Sequence, residues 1–290
     1  MNRKKKSLNI IVLVLVLLSV FLILYRPQIR LASDQKNLNI KIFKVGKADA
    51  IVVENNNEYM VIDVGEEDDG FEIVNYLQDR EVFKIKKLII THFDKDHVGG
   101  ADTLVENIEV EEVIIPDYKG SVTDYVEFMD ALNRLNIEPV DLTETMQFNL
   151  GDSKVTVEPP LNYNIKLDNE NAEVDNDLSI ITTIEHYNNR LVFLGDAEKI
   201  RLQEWLATPS AIPCDFIKFP HHGVYSTEHK NLLDKLKPSF VAICTSNKNP
   251  ASIETVQLIK NRGIKVAETK NGDISVVSDG NKVYMYQQGE

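Results

Sequence analysis

The chain has 290 residues, 43% of them hydrophobic and 27% charged, with only 2 cysteines, which excludes a disordered chain, a collagen-like chain and a small disulfide-stapled domain. Residues 1–30 hold six basic residues and no acid, so the formal net charge of −13 joins a basic N-terminal segment to a remainder with 26 basic and 45 acidic residues, net −19. Acidity of that size argues against nonspecific docking on phosphate backbones, where basic surface supplies affinity, but not against a phosphate substrate handled by bound cations.

Residues 8–25 form an 18-residue apolar run interrupted only by Asn9 and Ser19. As a helix it spans about 27 Å, close to the hydrocarbon thickness of a bilayer. Arg3, Lys4, Lys5 and Lys6 precede it, which assigns residues 1–7 to the cytoplasm and everything after the run to the outside. An uncleaved single-pass anchor in the cell membrane is the favoured reading. The alternative is a cleaved signal peptide and a secreted product, although no clear A-x-A site follows. Residues 26–36 read as a polar linker containing Pro27, and residues 37–290 as one globular unit large enough for a real core.

Within that unit, residues 39–45 alternate as a half-buried strand, with Ile40, Ile42 and Lys44 on one face. Short strands are expected at 50–53 and 59–64, a helix at 71–80 with Phe71, Val74 and Leu77 on its inner stripe, and a buried strand at 87–90 that runs into a polar loop at Thr91. Helices follow at 101–107, 122–135 and 200–207, and strands at 113–115, 154–157, 179–185 and 191–194. The last third alternates strands (215–219, 240–244, 264–267) with helices (228–236, 252–262) and closes on a hairpin of 273–277 and 282–286. Runs of strands followed by alternation point to an α/β (α+β) fold of packed sheets with helices outside, though a doubly wound sheet has the same pattern. Cys214 opens one of these strands and Cys244 closes another. In parallel neighbours the two sulfurs lie on the order of 16 Å apart, too far for a disulfide, so both read as small buried hydrophobes.

The chemistry concentrates at strand ends. Thr91-His92-Phe93-Asp94-Lys95-Asp96-His97-Val98-Gly99-Gly100 places four metal-ligand types within six residues directly after a buried strand. Carboxylates and imidazoles at that density suit one or two divalent ions. Gly195-Asp196 ends another strand, His221-His222-Gly223 a third and Asp63-Val64-Gly65 a fourth. Each of these is weak alone; four strand ends delivering His and Asp are hard to explain as turns.

The segment His92-x-Asp94-x-Asp96-His97 resembles the H-x-H-x-D-H signature of the metallo-β-lactamase superfamily, with Asp in place of the second His. Together with Val45-Gly46-Lys47-Ala48-Asp49-Ala50, Gly195-Asp196 and His221-His222-Gly223, it resembles the metallo-β-lactamase-like domain of the ComEC competence proteins across residues 37–287. The resemblance implies a four-layer αββα sandwich with a metal site at one edge. It implies His92, Asp94, Asp96 and His97 as ligands, Asp196 as the carboxylate bridging two ions, and a ligand or proton-transfer role for His221 or His222. Asp96, His221 and His222 then carry the catalytic roles, and His222 stands among the metal ligands. Asn176-Asp177-Leu178-Ser179 matches an N-x-x-S stretch, and Asn176, Ser179, Asp49 and Asp63 support the ligands from behind. The chain departs from the pattern at Lys47 and Ala48, at Val224 where Ser is usual, and at Asn249 where His is usual. Ser226 and Thr227, close to Val224, are the hydroxyls expected to meet substrate.

The expected activity is hydrolysis by a metal-bound hydroxide with Mn²⁺ or Zn²⁺ as cofactor, and the resemblance implies a phosphodiester, nucleic acid among the candidates, as the favoured substrate. The net charge argues against nucleic acid as the partner and leaves a small phosphodiester or a cell-envelope phosphoester as the competitor. Lys95, Lys218 and Lys230 beside the motifs offer a small local basic patch, although lysines flanking a loop more often only solubilise. Two other readings stand beside this one: a carboxylic ester, lactone or amide hydrolase, and a non-catalytic surface binding module with a degraded metal site.

Overall fold

The computed structural model describes residues 37–163 and 175–287. The expected basic segment, anchor and linker (1–36) lie outside the described residues, and among those described no helix is long and apolar enough to cross a membrane.

The first half of the chain runs β1 (Leu38–Ile42), β2 (Ala50–Asn55), β3 (Glu58–Val64), α1 (Gly70–Gln78), β4 (Lys84–Ile85), β5 (Lys87–Ile89), α2 (Lys95–Val98), α3 (Ala101–Asn107), β6 (Glu109–Val110), β7 (Val113–Pro116), α4 (Thr123–Leu135) and β8 (Val140–Leu142). The second runs β9 (Met146–Leu150), β10 (Ser153–Glu158), β11 (Ile181–His186), β12 (Asn189–Phe193), α5 (Lys199–Leu206), β13 (Phe216–Lys218), α6 (His229–Leu236), β14 (Phe240–Ile243), α7 (Ile253–Lys260), β15 (Lys265–Glu268), β16 (Ile274–Ser278) and β17 (Val283–Gln287). One sheet has the order β17-β16-β1-β2-β3-β5-β7-β8 and the other β15-β14-β13-β12-β11-β10-β9, while β4 and β6 form a small parallel pair.

Side-chain alternation builds three apolar layers from these two sheets. Ile40, Ile42, Ile51, Val53, Met60 and Ile62 of the first sheet meet Val155, Ile184, Leu191, Phe193 and Phe216 of the second in the central layer. Their alternates Val52 and Val61 face outward onto Ile73, Leu77, Leu104 and Phe128 of the helices, and Val192, Ile217 and Val241 face Leu202, Trp205, Leu233 and Ile259 on the other side. The result is a mixed α/β sandwich with helices covering the outer face of each sheet, which decides against a single doubly wound sheet.

Both sheets change from antiparallel to parallel pairing near the middle: β3–β5 and β12–β13 are parallel neighbours. Their C-terminal ends therefore open in a common direction, and the loops that follow carry the polar motifs. Gly100 allows α3 to lie against α1, because a Cβ there would stand 2.5 Å from the Gly70 nitrogen.

Some local expectations change. Phe71 is 55% exposed, and the buried stripe of α1 is Gly70, Ile73, Val74 and Leu77. Lys44 lies beyond the end of β1 and is exposed. The polar segment after Thr91 contains the short helix α2. Cys214 and Cys244 are free and buried, two residues before β13 and directly after β14, which pair in parallel; burial pushes the Cys214 thiol up to about 12.

Candidate metal centre

Four loops bring the candidate ligands to one place. Asp63, near the end of β3 with a left-handed φ of 55°, accepts from the Thr91 backbone N–H and from its hydroxyl, each at 2.7 Å. This fixes the start of the His92–His97 loop against the sheet. The Asp49 N–H donates to the Asp96 carbonyl at 3.0 Å, which ties that loop to the entry of β2. On the second sheet, Gly195 adopts φ 52°, and a Cβ there would press on Thr91 and Ser179 at 3.0–3.1 Å. Glycine lets the Asp196 loop close onto the first sheet, and the Asp196 N–H donates to the Ser179 hydroxyl at 3.2 Å.

Three imidazoles are each held by Nδ1. His97 Nδ1 lies 2.8 Å from Asp63 Oδ2, and His222 Nδ1 3.1 Å from the Cys244 carbonyl. His92 Nδ1 lies 3.0 Å from the Thr91 hydroxyl, whose own proton goes to Asp63. A carbonyl, a carboxylate and a hydroxyl already donating elsewhere can only accept, so each ring carries its proton on Nδ1 and presents Nε2 as the free nitrogen. All three Nε2 atoms are buried without a hydrogen-bond partner. Their nearest polar neighbours are carboxylate oxygens: Asp94 at 3.6 Å from His92, Asp196 at 3.4 Å from His97, and Asp196 and Asp96 at 3.0 and 3.4 Å from His222.

Asp49, His97, Asp196 and His222 bring ligand atoms within 4.8 Å of one another. Nε2 atoms that face carboxylates need a proton or a cation between them, and the donor set fits a divalent ion. Asp49 approaches His97 and His222 at their Nδ1 atoms, at 3.9 and 3.7 Å, on the side of the rings opposite Nε2.

Lys218 is fully buried here, not the solubilising residue its charge suggests. In β13 it alternates with Ile217 and so shares the central face with Phe216. Its ammonium pairs with Asp49 of the first sheet, donates to the Gly195 carbonyl at 3.1 Å and lies 3.5 Å from Asp196 Oδ1. Lys95, by contrast, is exposed and lies 3.7 Å from Glu66, and Lys230 is exposed.

The adjacent histidines separate. His221 and His222 adopt φ, ψ of 45°, 47° and 49°, 23°. Left-handed backbone costs a residue with a Cβ about 1–2 kcal/mol. In return the ring planes diverge by 65°, with centroids 6.4 Å apart. His222 turns inward to the cluster, and His221 meets Glu198 Oε1 at 2.8 Å. Asn176 donates to the same Glu198 oxygen at 3.1 Å, so it supports Glu198 rather than a ligand directly. Ser226 lies beside His221 in an open crevice, Thr227 is exposed outside its lining, and Asn249 sits in an exposed turn closed by hydrogen bonds with Ser246.

The charges around the cluster are strongly coupled. Burial opposes a proton on His97, but Asp196, Asp63 and Asp49 outweigh it and hold the ring well above the usual imidazole value; burial opposes a proton on His222 as well, and Asp196 and Asp96 outweigh it to raise that ring. Burial alone would raise Asp196, but the His222, His97 and Lys218 charges hold it far below the usual carboxylate range. Burial would raise Asp96 too, but the neighbouring His222 and His97 charges hold it below the usual carboxylate range.

These directions predict a pH profile for the chelated protein. A raised histidine stabilises below its unfolded value of about 6.5 and loses that contribution as pH climbs through the folded value. The depressed Asp196 stabilises above about 3.8 and loses its contribution as pH falls. Metal-free protein is therefore most stable between about pH 4 and 6.5, and its melting temperature falls towards pH 9. A divalent ion held by these imidazoles would replace those protons, so loading with one is expected to remove the high-pH loss. Melting curves at pH 5–9 with and without chelator check this; a flat or rising chelated profile above pH 6.5 contradicts it.

A two-sheet sandwich with this cluster at its strand ends defines the class: a sequence profile of the Metallo-beta-lactamase superfamily matches residues 44–244, more than half of the chain, and the chain belongs to that superfamily. Within it the chain is ComEC-like. It is 26% identical over 211 residues to Recombination protein 2 of Haemophilus influenzae and to ComE operon protein 3 of Bacillus subtilis. Those matches cover 71% and 70% of this chain but 24% and 26% of the two proteins, so the chain spans about a quarter of the length of the curated relatives it matches. Among solved structures, the metallo-beta-lactamase fold protein YhfI of Bacillus subtilis aligns with a TM-score of 0.55 at 10% identity, over 86% of this chain and 100% of that one, a likeness of fold alone.

Two features of the centre escape a reading of the sequence. Lys218 is a lone cation in the apolar stretch Phe216-Ile217-Lys218-Phe219, and strand alternation from Phe216 would have pointed it inward. Glu198 follows Gly195-Asp196-Ala197, where an acid two residues past a turn looks like surface.

Proposed function

We propose that the chain is a metal-dependent hydrolase of phosphodiesters that uses one or two divalent ions, Mn²⁺ or Zn²⁺. His92, Asp94, Asp96, His97, Asp196 and His222 hold the ions, and Asp49, Asp63 and Ser179 hold those residues from behind. The observation that carries this reading is the set of three imidazoles, each fixed through Nδ1, whose partnerless Nε2 atoms converge on the Asp94, Asp96 and Asp196 carboxylates. When bound, a divalent ion supplies an activated water near neutral pH and positive charge for the oxygens of the scissile group. The protein's share is to fix the ligands before substrate arrives: Thr91 and Asp63 set two rings, the Cys244 carbonyl a third, and Lys218 holds Asp49 in place.

A carboxylate-rich set favours hard ions and a substrate whose oxygens carry charge, which is the reason to place phosphodiesters ahead of carboxylic esters. The net −19 of residues 31–290 favours a small phosphodiester or a cell-envelope phosphoester over a nucleic-acid chain. We further place the hydrolase outside the cell membrane, tethered to the bilayer by residues 8–25, on the strength of that apolar run and the cations before it.

The test is the full chain in detergent, stripped with chelator and reloaded with Mn²⁺ or Zn²⁺, assayed on bis(4-nitrophenyl) phosphate, a deoxyoligonucleotide, 4-nitrophenyl acetate and a lactone. Turnover of the small phosphodiester above the ester and lactone is expected. Faster ester or lactone cleavage makes it a carboxylic ester hydrolase; no turnover and no bound ion make it a binding module.

A further inference from the structure

Beside the ligand cluster lies an open crevice of about 160 Å³, a size that suits a single ring-sized group better than a chain. None of the six proposed ligands lines it, yet two of its wall residues, His221 and Glu198, stand one and two positions from His222 and Asp196. The left-handed turn at His221-His222 produces this partition. One imidazole serves the cluster, and the other, with 19% of its side chain exposed, faces the crevice. His221 is fixed there by a short chain of contacts, Asn176 to Glu198 at 3.1 Å and Glu198 to His221 Nδ1 at 2.8 Å, which leaves Nε2 as the ring nitrogen available to a substrate.

The rest of the lining has a different character. Val224 and Tyr225 are 44% and 50% exposed although they adjoin a cluster of charges. Tyr225 is held by a hydrogen bond from its N–H to the Ser252 hydroxyl at 3.1 Å. Its ring meets His229 edge to face at 6.3 Å, and His229 in turn packs on Phe219 at 4.7 Å. Burial keeps His229 uncharged at neutral pH, pushing it down to about 4. The crevice thus pairs one polar, oriented imidazole with an anchored aromatic wall, and Lys199 stands in its lining as a cation. Across the cluster the surface is acidic: Glu66, Glu67 and Asp68 are exposed, and the Glu66-Glu67 backbone lies against Gly99 of the ligand loop. A second phosphate extending that way would meet like charge.

We infer that this crevice seats the leaving group of the substrate, that the group is aromatic (an aryl ring or a nucleobase-bearing alcohol), and that His221 hydrogen-bonds the scissile group from the crevice side. Glu198 and Asn176 are positioning residues that act through His221. The inference rests on the hydrolase reading for the identity of the scissile group. The seat itself is a property of the aromatic wall and is testable without turnover.

The first measurement is binding of phenylphosphonate and methylphosphonate, neither of which can be hydrolysed, to the full Mn²⁺-loaded chain by calorimetry. The phenyl compound binds about 10-fold tighter, a preference that Tyr225→Ala abolishes and Tyr225→Phe largely keeps. The second is kinetics on bis(4-nitrophenyl) phosphate. Glu198→Ala and His221→Ala each lower kcat by about 10- to 100-fold, and the double variant is no worse than either alone. Glu198→Gln, which retains an acceptor for both neighbours, recovers most of the loss, and Mn²⁺ affinity is unchanged in all of them. Equal binding of the two phosphonates, or a preference that survives Tyr225→Ala, overturns the aromatic seat. Loss of Mn²⁺ affinity in His221→Ala overturns the role given to that ring. A chain that binds phenylphosphonate selectively but turns over no phosphodiester keeps the seat and loses the hydrolase reading.

Discussion

Asp196→Ala is expected to abolish tight binding of divalent ions and to lower hydrolysis by at least about 10³-fold, since several kcal/mol of charge stabilisation depend on the ions it is proposed to hold. The carboxylate reaches His222 with one oxygen, at 3.0 Å, and His97 and Lys218 with the other, at 3.4 and 3.5 Å. Asp49 also lies near all three, but it meets His97 and His222 at their Nδ1 atoms, at 3.9 and 3.7 Å, so it cannot take the place of Asp196 beside Nε2. The fold itself should survive the change. Lys218 keeps Asp49, and the two imidazoles can shed their protons once the carboxylate is gone. The variant is therefore folded but inactive and ion-free, read by circular dichroism, metal analysis and turnover. Activity within 10-fold of the parent, in protein that still binds its ion, contradicts the assignment.

Lys218→Met has the opposite signature, because it strikes the fold before it touches the chemistry. Methionine matches the length of the side chain but removes the only ammonium in contact with Asp49 among the described residues. Asp49 is almost fully buried and one of its oxygens already lacks a hydrogen bond. Stripping one member of a buried ion pair costs about 3–5 kcal/mol, since the remaining charge has lost its partner without regaining water. For a domain of this size that is a fall of roughly 6–20 °C in the melting temperature of chelated protein. Because the pair also ties β13 of one sheet to the entry of β2 in the other, ion affinity should fall with it. Asp49→Asn in the same chain should restore part of the stability by removing the stranded charge. An unchanged melting temperature in Lys218→Met contradicts the buried pair.

The strand ends were the readable part of this site. His92, Asp94, Asp96, His97, Asp196 and the histidine pair all follow apolar runs, and a chain that leaves a buried strand with His and Asp has few other places to send them. The long elements were readable for the same reason: α3 and α4 show helical periodicity, β10 shows period two, and β2 and β3 are short apolar runs buried on both faces. Phe71 shows the limit of such patterns. Its spacing fits the stripe of α1, but the helix starts at Gly70, whose place against Gly100 turns the buried face one residue back. The strands β4, β6, β8 and β9 carry too few residues, or too little burial, to stand out from loops. The parting of His221 from His222 depends on two left-handed residues that no hydropathy pattern encodes. Lys218 was hidden by the ordinary expectation for lysine; only its place in an alternating strand betrays it.

The central claim is that the three free imidazole nitrogens and their carboxylates are a metal centre, and direct titration tests it. Mn²⁺ and Zn²⁺ are titrated by calorimetry into chelator-stripped full chain, beside His97→Ala, His222→Ala and, as a surface control, Lys230→Ala. The account predicts saturable binding that releases protons, weakened at least about 100-fold in both histidine variants and unchanged in the control. Binding of equal strength in all four proteins, or no saturable binding in the parent chain, would contradict it.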